Sequence, residues 1–309
     1  MKTRIESVED IVSSFAGQGY ICSEQVALAI YLAAQLNKPV LVEGPPGVGK
    51  TELAKAASAF LVAPLIRLQC YEGLDESRAL YEWKYGKQLL YTQLLRDKLG
   101  SMLADTDSLD ASMARLGDLG EAFYSDTFLE PRPLLQALRS DEPAVLLIDE
   151  IDKADQEFEA FLLELLSDFQ ISIPELGTVR AKHQPLVLLT SNDQRELSDA
   201  LKRRCLHLYI PYPAPELESQ IVSARVPELD GQLRDQLVAF IQYLREQDMK
   251  KLPAISETLD WARALVLLHA DSLSQELVAD TLNLVLKTEQ DVTLARELLP
   301  GWLRKFGKR

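Results

Sequence analysis

The string GPPGVGKT at Gly44–Thr51 limits this chain to a small set of folds, because it follows a short apolar strand and opens a helix. Two glycines frame four residues ahead of Lys50 and Thr51, the spacing of a loop whose backbone N–H groups surround phosphate oxygens at a helix N-terminus. Pro39–Glu43 reads as the strand and Lys50–Leu61 as the helix, so the three pieces form a mononucleotide-binding unit of a parallel α/β sheet. In such a unit Lys50 reaches the β- and γ-phosphates and the Thr51 hydroxyl ligates Mg²⁺. Gly44, Pro45, Pro46, Gly47, Val48, Gly49, Lys50, Thr51 and Glu52 are the candidate nucleotide contacts.

Further short apolar runs at Leu65–Gln69, Ala144–Ile148, Pro185–Thr190 and Leu206–Ile210 suit buried parallel strands. Helical spacing covers Ser23–Leu36, with Ser23 as N-cap and Val26, Ile30, Ala33 and Ala34 on one face, and recurs over Lys87–Leu103, Pro131–Arg139 and Glu157–Ser167. Gln170–Lys182 reads as a hairpin, since Ile171, Ile173 and Val179 alternate around a Pro/Gly turn. Tyr71–Tyr85 has no clean period and reads as an insertion, while Ala104–Gly120, rich in Asp, Ser and Gly, reads as a mobile acidic excursion. Pro211, Pro213 and Pro215 mark a linker, beyond which only helical spacing is found and a bundle of about four helices is expected. The expected organisation is an α/β nucleotide-binding domain over 1–212 and a helical domain over 213–309.

Chemistry beyond the loop is placed by the strand ends. Asp149 and Glu150 follow VLLI, so the strand delivers two carboxylates to the edge where the glycine loop opens. Asp149 is suited to hold Mg²⁺ with Thr51, and Glu150 to orient and deprotonate a water attacking the γ-phosphate. Asn192 lies just past a neighbouring strand, where its amide can hold that water or sense the γ-phosphate. Lys202, Arg203 and Arg204 lie between a short helix (Leu197–Leu201) and the last strand, at a position able to face a subunit boundary, and Arg195 is a further trans-acting candidate. Arg263 would bring a cation from the helical end over the nucleotide, and the basic aromatic end Trp302–Arg309 is a partner-docking or frayed tail.

Composition removes other classes. The 309 residues, 47% hydrophobic and 26% charged, support a core without metal or disulfide. Cys22, Cys70 and Cys205 are far apart and His183, His207 and His269 are scattered, which suggests neither a disulfide framework nor a zinc site. MKTRIESVED lacks an apolar signal core and no run approaches the ~20 apolar residues of a membrane span, so a cytoplasmic location is expected. A net charge of −14 repels phosphate backbones, making nucleic acid the less favoured partner.

GPPGVGKT, VLLIDE, TSN and ALKRR, in this order and followed by an all-helical end, resemble P-loop AAA+ ATPases, specifically the MoxR branch. LIRLQCYEGLDE, RPLLQAL and LSDALKRRCLHLYIPYP look like the subgroup associated with maturing carbon monoxide dehydrogenase-type metalloenzymes. The resemblance implies an AAA+ parallel sheet flanked by helices with a helical lid, and ATP and Mg²⁺ at Lys50, Thr51, Asp149 and Glu150. It also implies Asn192 as first sensor, Arg203 and Arg204 as arginine fingers, and Arg263 as second sensor. Further implications are a hexameric ring, a von Willebrand factor A-domain partner and a client metalloenzyme. Two other functions compete: a DNA-acting motor using the hairpin, whose cations are only Arg180 and Lys182, and a nucleotide switch with little turnover. The phosphate machinery leaves adenine against guanine open.

Overall fold

Apolar residues in the central strands are buried on both faces, so the sheet requires helices above and below it. The computed structural model describes residues 5, 7–104, 124–173 and 177–306. Five strands, β1 (Val40–Glu43), β2 (Leu65–Gln69), β5 (Val145–Asp149), β8 (Leu186–Ser191) and β9 (Leu206–Tyr209), form one parallel sheet in the order β2-β5-β8-β1-β9. Successive side chains alternate between two cores. Val40, Val42, Val145, Leu147, Leu186 and Leu188 pack with helices α1 (Val8–Gly17), α2 (Glu24–Leu36) and α3 (Lys50–Leu61). Leu41, Leu146, Ile148, Val187 and Leu189 face the other way, toward α6 (Pro133–Arg139) and α7 (Gln156–Asp168).

Local chemistry explains the element ends. Ser23 caps α2, its hydroxyl accepting from the Val26 N–H at 3.4 Å, as expected from sequence. Ser7 likewise caps α1, which was not anticipated, with Ile11 and Phe15 buried one turn apart beneath it. The hairpin forms as β6 (Gln170–Ile173) and β7 (Gly177–Arg180) with Ile171 opposite Val179, its turn at 174–176 lying outside the described residues.

Several expectations are corrected. Tyr71–Tyr85 is structured: α4 (Glu76–Ala79) leads into β3 (Tyr81–Trp83), which pairs antiparallel with β4 (Leu129–Pro131). Pro131 belongs to that strand, and α6 begins at Pro133, where a proline at the first helical position loses no hydrogen bond. Between these strands runs α5 (Tyr85–Ala104); the rest of the acidic stretch, 105–120, lies outside the described residues. The short helix expected at Leu197–Leu201 is shifted along the chain: Ser198 caps α8 (Asp199–Arg204), so Lys202, Arg203 and Arg204 form its last turn rather than following it. Positive charge there complements the helix dipole.

The C-terminal part contains five helices among the described residues rather than about four: α9 (Pro215–Arg225), α10 (Gly231–Arg245), α11 (Ile255–Leu267), α12 (Gln275–Val285) and α13 (Glu289–Phe306). They enclose their own apolar core around Phe240, Trp261 and Trp302. Trp302 is therefore core, edge-on to Phe240 at 4.8 Å, and not part of a frayed tail; 307–309 lie outside the described residues. A buried ion pair crosses this core, with Arg245 Nη1 and Nη2 donating to Glu218 Oε2 and Oε1 at 2.7 and 2.8 Å. Gln242 and the Thr258 hydroxyl donate to the same carboxylate. Removing one partner strands a buried charge, so Arg245→Ala should cost about 3–5 kcal/mol of stability. Urea unfolding of the two proteins measures it.

Candidate active site

The strand order brings the site together. The chain leaves β1 toward β2 and leaves β8 toward β9, so from two adjacent strands the connections run in opposite directions on opposite faces of the sheet, and the reversal sets a crevice at the carboxyl edge. The glycine loop emerges from β1 into that crevice and ends at Gly49, the N-cap of α3. Gly44 holds φ 149°, and a Cβ there would sit 2.2 Å from the Ile210 carbonyl oxygen. Gly47 holds φ 78°, and a Cβ would meet Ser256 Oγ at 2.5 Å and Ala254 Cβ at 2.7 Å. The loop is thus wedged between the end of β9 and the start of α11, and no larger residue fits at either position.

Lys50 is 7% exposed, and its ammonium donates to the Gly44 and Pro45 carbonyls at 2.6 and 2.8 Å. Burial pulls its pKa from 10.5 down to about 8, against the opposing attraction of Asp152, Asp149 and Glu150. Asp149, 2% exposed, accepts from the Thr51 hydroxyl at 3.2 Å on each oxygen, from the Thr190 hydroxyl, and from Arg67 Nε and Nη2 at 3.0 and 2.6 Å. The Thr51 hydroxyl and Asp149 carboxylate are hard oxygen donors suited to Mg²⁺. Among the described residues no group of three or more His, Cys, Asp or Glu could hold a metal ion. A cation here must therefore draw on phosphate and water oxygens as well, which is how Mg²⁺ binds with a nucleotide.

Glu150 sits in the left-handed region at φ 57°, a strained setting for a residue with a Cβ. Its N–H donates to Thr190 Oγ1 at 2.9 Å, and the sharp turn sends its carboxylate toward the crevice. There Gln69 and Lys153 donate to Oε2 at 2.7 and 2.6 Å, and Asn192 Nδ2 donates to Oε1 at 3.3 Å. Asn192 is itself positioned by Asp152, whose Oδ2 accepts from the Asn192 and Gln194 N–H groups at 3.0 and 3.1 Å. Lys50, Thr51, Asp149, Glu150 and Asn192 thus converge as expected. Arg67, Gln69, Asp152 and Thr190 were missed; the signal for the first two was a polar pair at alternate positions near the end of a sheet strand.

The remaining cations divide. Arg195 is engaged within its own chain, ion-paired to the 1%-exposed Glu159 carboxylate at 2.5 Å and donating to the Ala154 carbonyl. Arg204 donates to Ser167 Oγ and the Ala200 carbonyl. Arg203 is exposed and makes no hydrogen bond or ion pair among the described residues. Arg263 lies on the wall of a cavity of about 560 Å³ that runs from the loop past Tyr20–Cys22, Tyr212 and Leu259, but its guanidinium pairs with Asp260 at 3.0 Å and not with the loop. The residues that approach the loop are at the start of α11, its N-cap Ala254 and Ser256. Burial pushes the Cys22 thiol of that cavity up to about 11, and Cys70 and Cys205 to about 12, so none is a thiolate at neutral pH.

The lowered Lys50 pKa makes a testable statement about stability. The folded state holds this proton less tightly than the unfolded one, so its contribution is favourable above 10.5 and is lost as pH falls through about 8. Between those values nucleotide-free protein should gain stability with rising pH relative to Lys50→Met, as urea unfolding of both at several pH values would measure.

Residues 39–205 match the AAA domain family, dynein-related subfamily. An uncharacterized protein of Staphylococcus epidermidis is 26% identical over 239 residues, covering 75% of this chain and 77% of its own length. One of Staphylococcus haemolyticus is 26% identical over 238 residues, covering 75% and 76%. A mutant of RuvB from Thermotoga maritima aligns with 84% of this chain and 68% of its own at 18% identity and a TM-score of 0.47. The family match takes in more than half of the sequence, and on that extent the chain belongs to the AAA domain family, dynein-related subfamily.

Proposed function

We propose that this chain hydrolyses Mg²⁺-ATP as a MoxR-like chaperone of the AAA+ kind, working as a homo-oligomeric ring, a hexamer, to remodel a client protein in metalloenzyme maturation. The observation that carries the hydrolytic reading is the meeting of Lys50, Thr51, Asp149, Glu150 and Asn192 at one sheet edge, beside a cavity of nucleoside size. In this reading Gly44–Glu52 and Lys50 hold the phosphates, Thr51 and Asp149 hold Mg²⁺, and the cation supplies neutralisation of the charge shared by the β- and γ-phosphates. Glu150 takes the proton of the attacking water, and Asn192, bonded to Glu150, fixes where that water stands. Residues 213–309 act as a lid domain, with Arg263 on the nucleoside side of the cavity.

Arg203 is the best supported of the trans-acting candidates, since Arg195 and Arg204 already have partners in their own chain. The net charge of −14 and the ion pair of Lys182, just past the hairpin, with Asp141 favour a protein client over nucleic acid. A partner with a von Willebrand factor A domain follows from the resemblance, and a cytoplasmic setting is part of the same proposal; among the described residues no helix is long and apolar enough to cross a membrane.

ATPase rate measured against protein concentration, with mass determined alongside, tests this. Specific activity should climb as oligomers form, and a specific activity that stays unchanged while the mass rises from monomer to oligomer would sink the shared-site idea. Glu150→Gln should keep nucleotide binding and lose turnover by about 10²-fold or more. Arg203→Ala mixed into wild type should depress activity beyond its mole fraction, because a guanidinium supplied in trans is worth roughly 10³–10⁵ in rate.

A further inference from the structure

We propose that Arg67 is a positioning residue that joins two events: the arrival of a divalent cation at Asp149 and the release of the Glu150 carboxylate. The proposal rests on the hydrolytic reading above and deepens it. Arg67 and Gln69 occupy alternate positions of β2, so their side chains share a face, and Gln69 lies in register with Asp149 on β5. Arg67 Nε and Nη2 both reach Asp149 Oδ2, at 3.0 and 2.6 Å. The same Nη2 donates to Gln69 Oε1, and Gln69 Nε2 donates to Glu150 Oε2 at 2.7 Å.

A guanidinium has only donors, so the atom of Gln69 facing it must be the carbonyl oxygen, and the amide N–H₂ is thereby turned toward Glu150. Arg67 therefore orients the group that restrains the carboxylate. It also stands on the carboxylate that a cation bound at Thr51 must share, and two cations on one carboxylate repel. Arg67 is the one free to yield: its side chain is 51% exposed while that of Asp149 is 3% exposed. As it swings toward solvent, Gln69 loses the contact that fixes its amide, and Glu150 keeps only Asn192 and Lys153.

The test is a Mg²⁺ titration of a fluorescent, non-hydrolysable ATP analogue bound to the full chain, which reads binding and not turnover. Arg67→Met should lower the Mg²⁺ concentration for half-maximal binding about tenfold, within the usual range of coupling between sites. Gln69→Met should lower it about threefold by loosening Arg67, and the double variant should shift no further than Arg67→Met alone. An unchanged or higher midpoint in folded Arg67→Met overturns the proposal, and so do strictly additive shifts. Should Arg67→Met fail to fold, Arg67→Lys decides: one ammonium cannot hold Asp149 and Gln69 together, so its midpoint should fall at least as far as that of Gln69→Met, and an unchanged midpoint refutes the link. Wild-type protein that binds no analogue at any Mg²⁺ concentration refutes the hydrolytic reading instead.

Discussion

A carboxylate with almost no access to water must be neutralised where it stands, and Asp149 is such a group at the end of the interior strand β5. Its partners come from three other elements: Arg67 from β2, Thr190 from β8 and Thr51 from α3. These contacts pin the carboxyl ends of three neighbouring strands and the phosphate-loop helix to one point. The next residue, Glu150, then has to turn through the left-handed region, and Thr190 holds both sides of that turn, donating to Asp149 and accepting from the Glu150 N–H. The direction in which the Glu150 carboxylate points is thus inherited from the anchoring of its neighbour.

How much of this was legible follows from what kind of pattern carries each feature. The sheet strands and the glycine loop were readable because each is one continuous run with its own period, and Asp149, Glu150 and Asn192 because each directly ends such a run. β3 and β4 were not, since three-residue strands leave no period and their pairing joins distant segments. α1 carried usable signals, Ser7 as a cap, Glu9 and Asp10 in the first turn and Ile11 one turn before Phe15, that went unread. The helix expected at Leu197–Leu201 starts later because Ser198 followed by Asp199 marks its cap, which carries Lys202, Arg203 and Arg204 into its last turn. Arg67 and Gln69 show a deeper limit: in sequence they are ordinary polar positions on a strand, and only the register of β2 with β5 brings them to the acidic pair. Arg263 shows the converse, a residue near the cavity whose local partner Asp260 the linear pattern did not weigh.

The connection between sheet and helices is held along its length. Tyr212 lies under the Arg245 guanidinium at 5.0 Å, and Gln242 donates to the Pro213 carbonyl at 3.0 Å. Both partners belong to the network around the buried Glu218 carboxylate, so the segment that lines one wall of the cavity is tied to the interior of the helical part. Prolines at 211, 213 and 215 limit its backbone further. Changes deep in the helical core therefore reach the cavity wall without passing through the sheet.

The approach of α11 to Gly47 has a mechanical side. A helix of 13 residues is about 20 Å long, and this one rests its first residues on the glycine loop while its far end carries the exposed Leu267. It is a lever with its fulcrum on the loop. A tilt of about 10° about that contact carries the far end roughly 3 Å, given the helical rise per residue. Because Trp261, Ala262 and Leu265 of α11 are buried in the helical core, such a tilt carries that core with it, and a small displacement at the loop becomes a larger one at the exposed end of the helix.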